Sequence, residues 1–125
     1  MNILLDTHVC LWWLDNSTAL KKEIKDVISN IDNVIIVSAV VIWEIRIKQA
    51  IGKLEIPPDF FEVLTQQGFE IIPIAAEDAY KVGDLPLHHR DPFDRMLIAQ
   101  AKSGGFTILT HDKEFTKYDV PILTA

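Results

Sequence analysis

Residues 33–53 read NVIIVSAVVIWEIRIKQAIGK, and the pattern changes character at Ser38. The first part is a short run of β-branched residues, the kind that packs well in a buried strand. Beyond Ser38 the apolar residues fall at helical spacing, and a serine hydroxyl can accept from the free N–H groups at a helix start. Gly52 supplies the stop, because glycine readily takes the left-handed conformation that ends a helix. A buried strand running directly into a capped helix is half of a βαβ unit.

Working outward, the same reading recurs. NILLD before residue 7 is a first strand, THVCLWWLD a short helix, and TALKKEIKDVISNI a second helix with Leu20, Ile24, Val27, Ile28 and Ile31 on one face. PPDFFEVLTQQG has proline at its head and Gly68 at its end, the asymmetry of a helix. FEIIPI is a third strand, AAEDAYKVGDL a short helix and PLHHR a loop. Asp91 and Pro92 then open a helix that Gly104 and Gly105 close; FTILT is a fourth strand and HDKEFTKY a turn or short helix. VPILT ends the chain as an edge strand, where Pro121 is tolerated. Alternating strands and helices predict one α/β domain over residues 1–125, a three-layer sandwich with a mostly parallel central sheet and right-handed crossovers.

Composition narrows the setting. With 49% apolar and 24% charged residues, the chain has the profile of an ordinary soluble globular domain. Cys10 is the sole cysteine, which excludes a disulfide framework and a cysteine zinc site and suits a reducing cytoplasm. The start MNILLD has no basic leader, and the longest apolar stretch, VIIVSAVVIW, is too short to span a bilayer, so no membrane association is expected. A net charge of −6 argues against coating nucleic acid by bulk electrostatics, but not against an enzyme that grips a phosphodiester locally.

Four acids draw attention by position. In open parallel sheets ligands bind beyond the carboxyl ends of the strands, where strand order reverses. Asp6 closes the first strand and Asp112 follows the fourth by two residues. Glu44 has Val40, Val41, Ile47 and Lys48 as its helix neighbours, with Ile51 two turns on, and Asp94 lies among Leu97, Ile98 and Ala101. Each alone has an ordinary explanation: a cap, a turn, or a pair with Arg46, Lys48 or Arg95. Asp91 is best read as the helix cap. Together they are harder to dismiss. Two carboxylates 5 Å apart repel by roughly 3 kcal/mol at an effective dielectric near 20. Three such pairs cost on the order of 10 kcal/mol, comparable to the stability of a domain. Such a cluster persists if protonated, paired with cations or bound to metal. Oxygen ligands favour Mg²⁺ or Mn²⁺, and the chemistry that follows is metal-assisted phosphodiester hydrolysis.

The segments LLDTHVCLWWL, VSAVVIWEIRIK, HHRDPFDRMLIAQA and LTHDKEF, in this order and spacing, resemble PIN-domain ribonucleases of the VapC toxin type over essentially the whole chain. The resemblance implies an RNA substrate, Mg²⁺ or Mn²⁺, products with 5′-phosphate and 3′-hydroxyl ends, a homodimer, and a small antitoxin that blocks the site. It implies Asp6, Glu44 and Asp94 as the metal-site acids, Asp112 as a fourth, more variable one, and Thr7 and Thr110 as supporting hydroxyls. His111 departs from the smaller polar residue many relatives carry there.

The remaining candidates are weaker. No pair among His8, His88, His89 and His111 has the helical spacing of a zinc motif, so histidine ligation is not expected. His88 and His89 read as phosphate contacts or solvent-facing groups, and Arg46, Lys48, Arg90 and Arg95 as candidate RNA contacts. Of Trp12 and Trp13, adjacent in sequence, one is expected in the core. A catalytically inactive RNA-binding or interaction module on the same fold is the main alternative, and retention of all four acids speaks against it. An aspartyl phosphatase needs a second acid where His8 stands.

Overall fold

The computed structural model describes all 125 residues. Five strands, β1 (Asn2–Leu5), β2 (Val34–Ser38), β3 (Glu70–Ile72), β4 (Thr107–Thr110) and β5 (Ile122–Thr124), form one sheet in the order β3-β2-β1-β4-β5. All four pairings are parallel. Helices α1 (Thr7–Leu14), α2 (Lys22–Ser29), α3 (Ala39–Ala50), α4 (Phe60–Thr65), α5 (Ala76–Lys81) and α6 (Pro92–Gly104) flank it, with short 3-10 turns at Val82–Asp84 and Lys113–Lys117.

A parallel strand covered on both faces needs a continuous apolar run rather than alternation. Ile3, Leu4 and Leu5 of the central strand are accordingly buried, as are Ile35, Ile36 and Val37 beside them. The chain lays down β1, β2 and β3 in one direction, then returns past β1 to add β4. Strand order therefore reverses between β1 and β4, and the crevice that this creates lies at their carboxyl ends. The Asp6 amide continues that ladder by donating to the Leu109 carbonyl at 3.1 Å, which sets the residue after β1 beside the end of β4.

Helix boundaries follow local chemistry. Ser38 accepts from Val40 N at 3.1 Å, and Asp91 accepts from Phe93 N at 2.9 Å and Asp94 N at 3.1 Å. Gly105 ends α6 at φ +69°, and Gly104 has no room for a Cβ, which would lie 2.3 Å from the Phe106 ring. Three expectations about the core need correction. Ile31 lies beyond the end of α2, at the tip of the turn into β2, and is 97% exposed. Ile47 and Ile51 are also exposed: the buried face of α3 ends at Ile45, and Ile51 is the C-terminal cap. Neither Trp12 nor Trp13 is fully buried: Trp13 Nε1 donates to Gln67 Oε1 at 3.0 Å, while Trp12 lies between the rings of His8 and His111. No helix is long and apolar enough to cross a membrane.

Candidate metal centre

Asp6 leaves β1 and starts α1 in the same step. Its Oδ1 accepts from Val9 N at 2.8 Å, capping the helix, and its Oδ2 accepts from Thr110 Oγ1 at 2.5 Å. The residue is buried, and burial raises its pKa against the opposing effect of those two hydrogen bonds. Thr110, the last residue of β4, also accepts from Asp112 N at 3.0 Å through the same hydroxyl oxygen. One threonine thus ties the acid after β1 to the acid after β4. Asp112 in turn caps the following 3-10 turn, accepting from Glu114 N at 2.9 Å, while its side chain stays 42% exposed.

Glu44 projects from the middle of α3 and is 4% exposed. A bare carboxylate there would be costly, and two neighbours satisfy it. Thr7 Oγ1 donates to Oε1 at 2.5 Å, and the Lys48 ammonium lies 2.7 Å from Oε2, one helical turn along. The Glu44 hydrogen bond raises the Lys48 pKa, with the Asp91 and Asp94 charges acting in the same direction. Lys48 is therefore the fixed counter-charge of a site with more acids than bases.

Asp94 stands in the first turn of α6, its backbone N–H already capped by Asp91. Its side chain is partly buried, with Oδ2 2.7 Å from His89 Nε2. Burial, then the Asp91 charge and, less strongly, that of Glu44, push its pKa up to about 7 despite the opposing His89 contact. His89 Nε2 also lies 3.5 Å from Asp112 Oδ2. The four acids and Asp91 thus belong to one neighbourhood. Asp6, Thr110, Asp112, His89 and Asp94 form a continuous chain of polar contacts, and the Thr7–Glu44–Lys48 set begins at the residue next to Asp6.

His89 is the site residue that sequence reasoning missed. Its backbone N–H donates to Tyr118 Oη at 2.9 Å, and its ring stands edge-on to Phe115. These distant aromatic residues turn it inward, while His88 remains exposed against Tyr118. Arg95 is also reassigned. Its guanidinium donates to the carbonyls of Pro86, Val82 and Leu85 at 2.8, 3.1 and 3.3 Å and to Tyr118 Oη at 3.2 Å, so it pins the loop before α6 rather than facing a ligand. Arg90 is exposed beside the cluster in sequence; Arg46 is exposed on α3, about 200° around the helix from Glu44.

Carboxylates at this density, with Lys48 and His89 as the basic groups in direct contact, match the needs of a hard divalent cation. Each carboxylate can accept more hydrogen bonds or ligand bonds than it makes here. The donor set fits Mg²⁺ or Mn²⁺.

Comparison with known proteins agrees with this architecture. VapBC2 of Rickettsia felis, solved bound to a DNA fragment from its promoter, contains a chain that superposes with a TM-score of 0.75 at 18% identity, covering 100% of this chain and 99% of that one. DNA-bound VapBC of Salmonella typhimurium gives 0.70 at 17% identity, covering 99% and 98%. VapBC-1 of nontypeable Haemophilus influenzae gives 0.70 at 18%, also covering 99% and 98%. No curated protein sequence matches this chain. The family model described as PIN domain matches residues 3–121, nearly the whole length, and the chain therefore belongs to the PIN-domain family.

Proposed function

We propose that this protein is a metal-dependent endoribonuclease of the VapC toxin type. In this reading it is a cytoplasmic homodimer held in check by a small antitoxin protein. One observation carries the proposal: Asp6, Asp112 and Asp94 are linked through Thr110 and His89 in one chain of polar contacts beyond the carboxyl ends of β1 and β4, and the Glu44 charge acts on Asp94. The VapBC structures among the neighbours, a family of toxin–antitoxin systems, support the antitoxin partner.

The four acids would hold Mg²⁺ or Mn²⁺. A bound ion of this kind lowers the pKa of water and neutralises charge on a phosphodiester in its transition state. Thr7 and Thr110 fix the orientation of the Glu44 and Asp6 carboxylates, as outer-shell partners of metal ligands do. Lys48 balances the charge of Glu44, and Arg90, exposed next to His89 in the sequence, would receive an RNA phosphate from solvent.

The test is cleavage of a mixed RNA pool by the purified protein with Mn²⁺ or Mg²⁺, with EDTA, and with Asp94→Asn. Asparagine keeps the size of the side chain and leaves the Asp91 cap untouched. Metal-dependent cutting that the folded variant loses establishes the nuclease. Cutting that survives in EDTA, or equally in the variant, refutes it.

A further inference from the structure

We propose that His89 Nε2 is a nitrogen ligand to the divalent ion, completing with Asp94 and Asp112 a mixed oxygen–nitrogen centre. The inference rests on the metal-dependent reading above and goes beyond the four acids. Ligand atoms offered by His89, Asp94 and Asp112 all lie within 4.8 Å of one another. An octahedral ion with bonds of ~2.1 Å separates adjacent ligand atoms by about 3.0 Å and opposite ones by about 4.2 Å. The 2.7 Å and 3.5 Å separations from Nε2 to Asp94 Oδ2 and Asp112 Oδ2 are those of neighbours around one ion, within small side-chain adjustments.

The ring is held in place independently of the acids. Tyr118 receives the His89 backbone N–H, donates its own hydroxyl to Pro86 O at 2.8 Å, and accepts from Arg95. Phe115 packs against the imidazole edge. A histidine that merely neutralised Asp94 would not need this support; a ligand would, because metal affinity depends on donors held in position.

The alternative is that His89 is a resident cation which an incoming ion must expel. The two roles predict opposite results. As a ligand, His89 strengthens binding, and more for Mn²⁺ than for Mg²⁺, since imidazole suits transition ions and magnesium prefers oxygen. As a competitor, its removal would tighten binding of both ions.

The experiment is titration of metal-free protein with MnCl₂, followed by electron paramagnetic resonance, and electron spin-echo modulation at saturation. It is run on the wild type, His89→Gln and Asp94→Asn. The wild type is expected to show a directly bound ¹⁴N that His89→Gln lacks, with Mn²⁺ affinity at least ~10-fold weaker in that variant and Mg²⁺ affinity little changed. A wild-type spectrum without bound nitrogen overturns the proposal whatever the variant does. So does nitrogen coupling that persists in His89→Gln, which would point to His8 or His111, or Mn²⁺ binding as tight as or tighter than wild type. Mn²⁺ binding that Asp94→Asn weakens, but without nitrogen, sinks only the His89 assignment. Absence of Mn²⁺ binding removes the metal-dependent reading with it.

Discussion

Helices α1 and α6 both begin on aspartate, and they use it differently. At α1, Asp6 is at once the cap and a cluster acid: one oxygen holds Val9 N and the other holds Thr110. At α6 the two tasks are divided. Asp91 takes the cap, and Asp94, three residues on, turns its carboxylate to His89 while the Asp91 charge destabilises its ionised form. At the first helix, fold and site share the same hydrogen bonds. At the second they are separable, and an acid can be kept near neutrality because the helix does not depend on it.

Truncation should expose that difference. Asp6→Ala removes a cap worth about 1 kcal/mol and leaves the Thr110 hydroxyl without its charged acceptor, a further loss of about 1–2 kcal/mol after relief of the buried charge. The expected fall in unfolding free energy is ~2–3 kcal/mol. Asp94→Ala loses only the His89 contact and is relieved of repulsion from Asp91 and Glu44, so it should cost less than ~1 kcal/mol, or stabilise. Urea unfolding at neutral pH without metal compares them. Equal losses would mean that the two helix starts are equivalent after all. Activity should not separate them, since both variants are expected to lose more than ~100-fold of any metal-dependent cleavage.

The same contrast marks what could be read from sequence. Asp6 and Asp112 are legible because each stands just beyond a strand end, which β-branched runs mark, and Glu44 and Asp94 because each is an acid on an apolar helix stripe. The split between Asp91 and Asp94 followed from cap chemistry alone. His89 was not visible: PLHHR has no periodicity, and the choice between two adjacent histidines is made by Tyr118 and Phe115, brought in by the segment after β4. The role of Arg95 is hidden for a related reason. A guanidinium next to a site acid looks like a phosphate ligand until the carbonyls of a distant loop are seen to occupy it. Ile47 and Ile51 continue the helical stripe in sequence, whereas burial along α3 ends at Ile45.

Raised acid pKa values also predict how stability responds to pH. Asp94 goes from 3.8 in its ordinary state to about 7 in the fold, chiefly by burial, and Asp6 moves in the same direction. The folded state therefore binds protons more tightly than the unfolded chain. Stability associated with Asp94 is fully present below about pH 4 and is lost as pH rises toward 7. The loss for this residue is on the order of 1–2 kcal/mol, discounted for solvent screening at a partly open site. Melting of metal-free protein from pH 4 to 7.5 measures it. The decline should flatten in Asp94→Asn and under saturating Mn²⁺, which favours the ionised carboxylate. A wild-type profile matching that of Asp94→Asn would place the burden of the cluster elsewhere.

The smallest expected effect is the sharpest test of the division at α6. Serine caps helices about as well as aspartate but carries no charge. Asp91→Ser should change unfolding free energy by less than ~0.5 kcal/mol where Asp94 is still protonated, so that no like-charge repulsion is relieved, whereas Asp91→Ala should cost ~1 kcal/mol there. Both variants remove the like charge that helps raise the Asp94 pKa, so both should move it below about 7 and shift the stability decline to lower pH. Titration of the Asp94 side-chain carboxyl carbon by NMR reads this directly, independently of melting. If the pKa falls in Asp91→Ser while the helix is unaffected, the cap also tunes the acid three residues on. If it stays near 7, burial and the Glu44 charge hold Asp94 there, and Asp91 serves the helix without influencing the site.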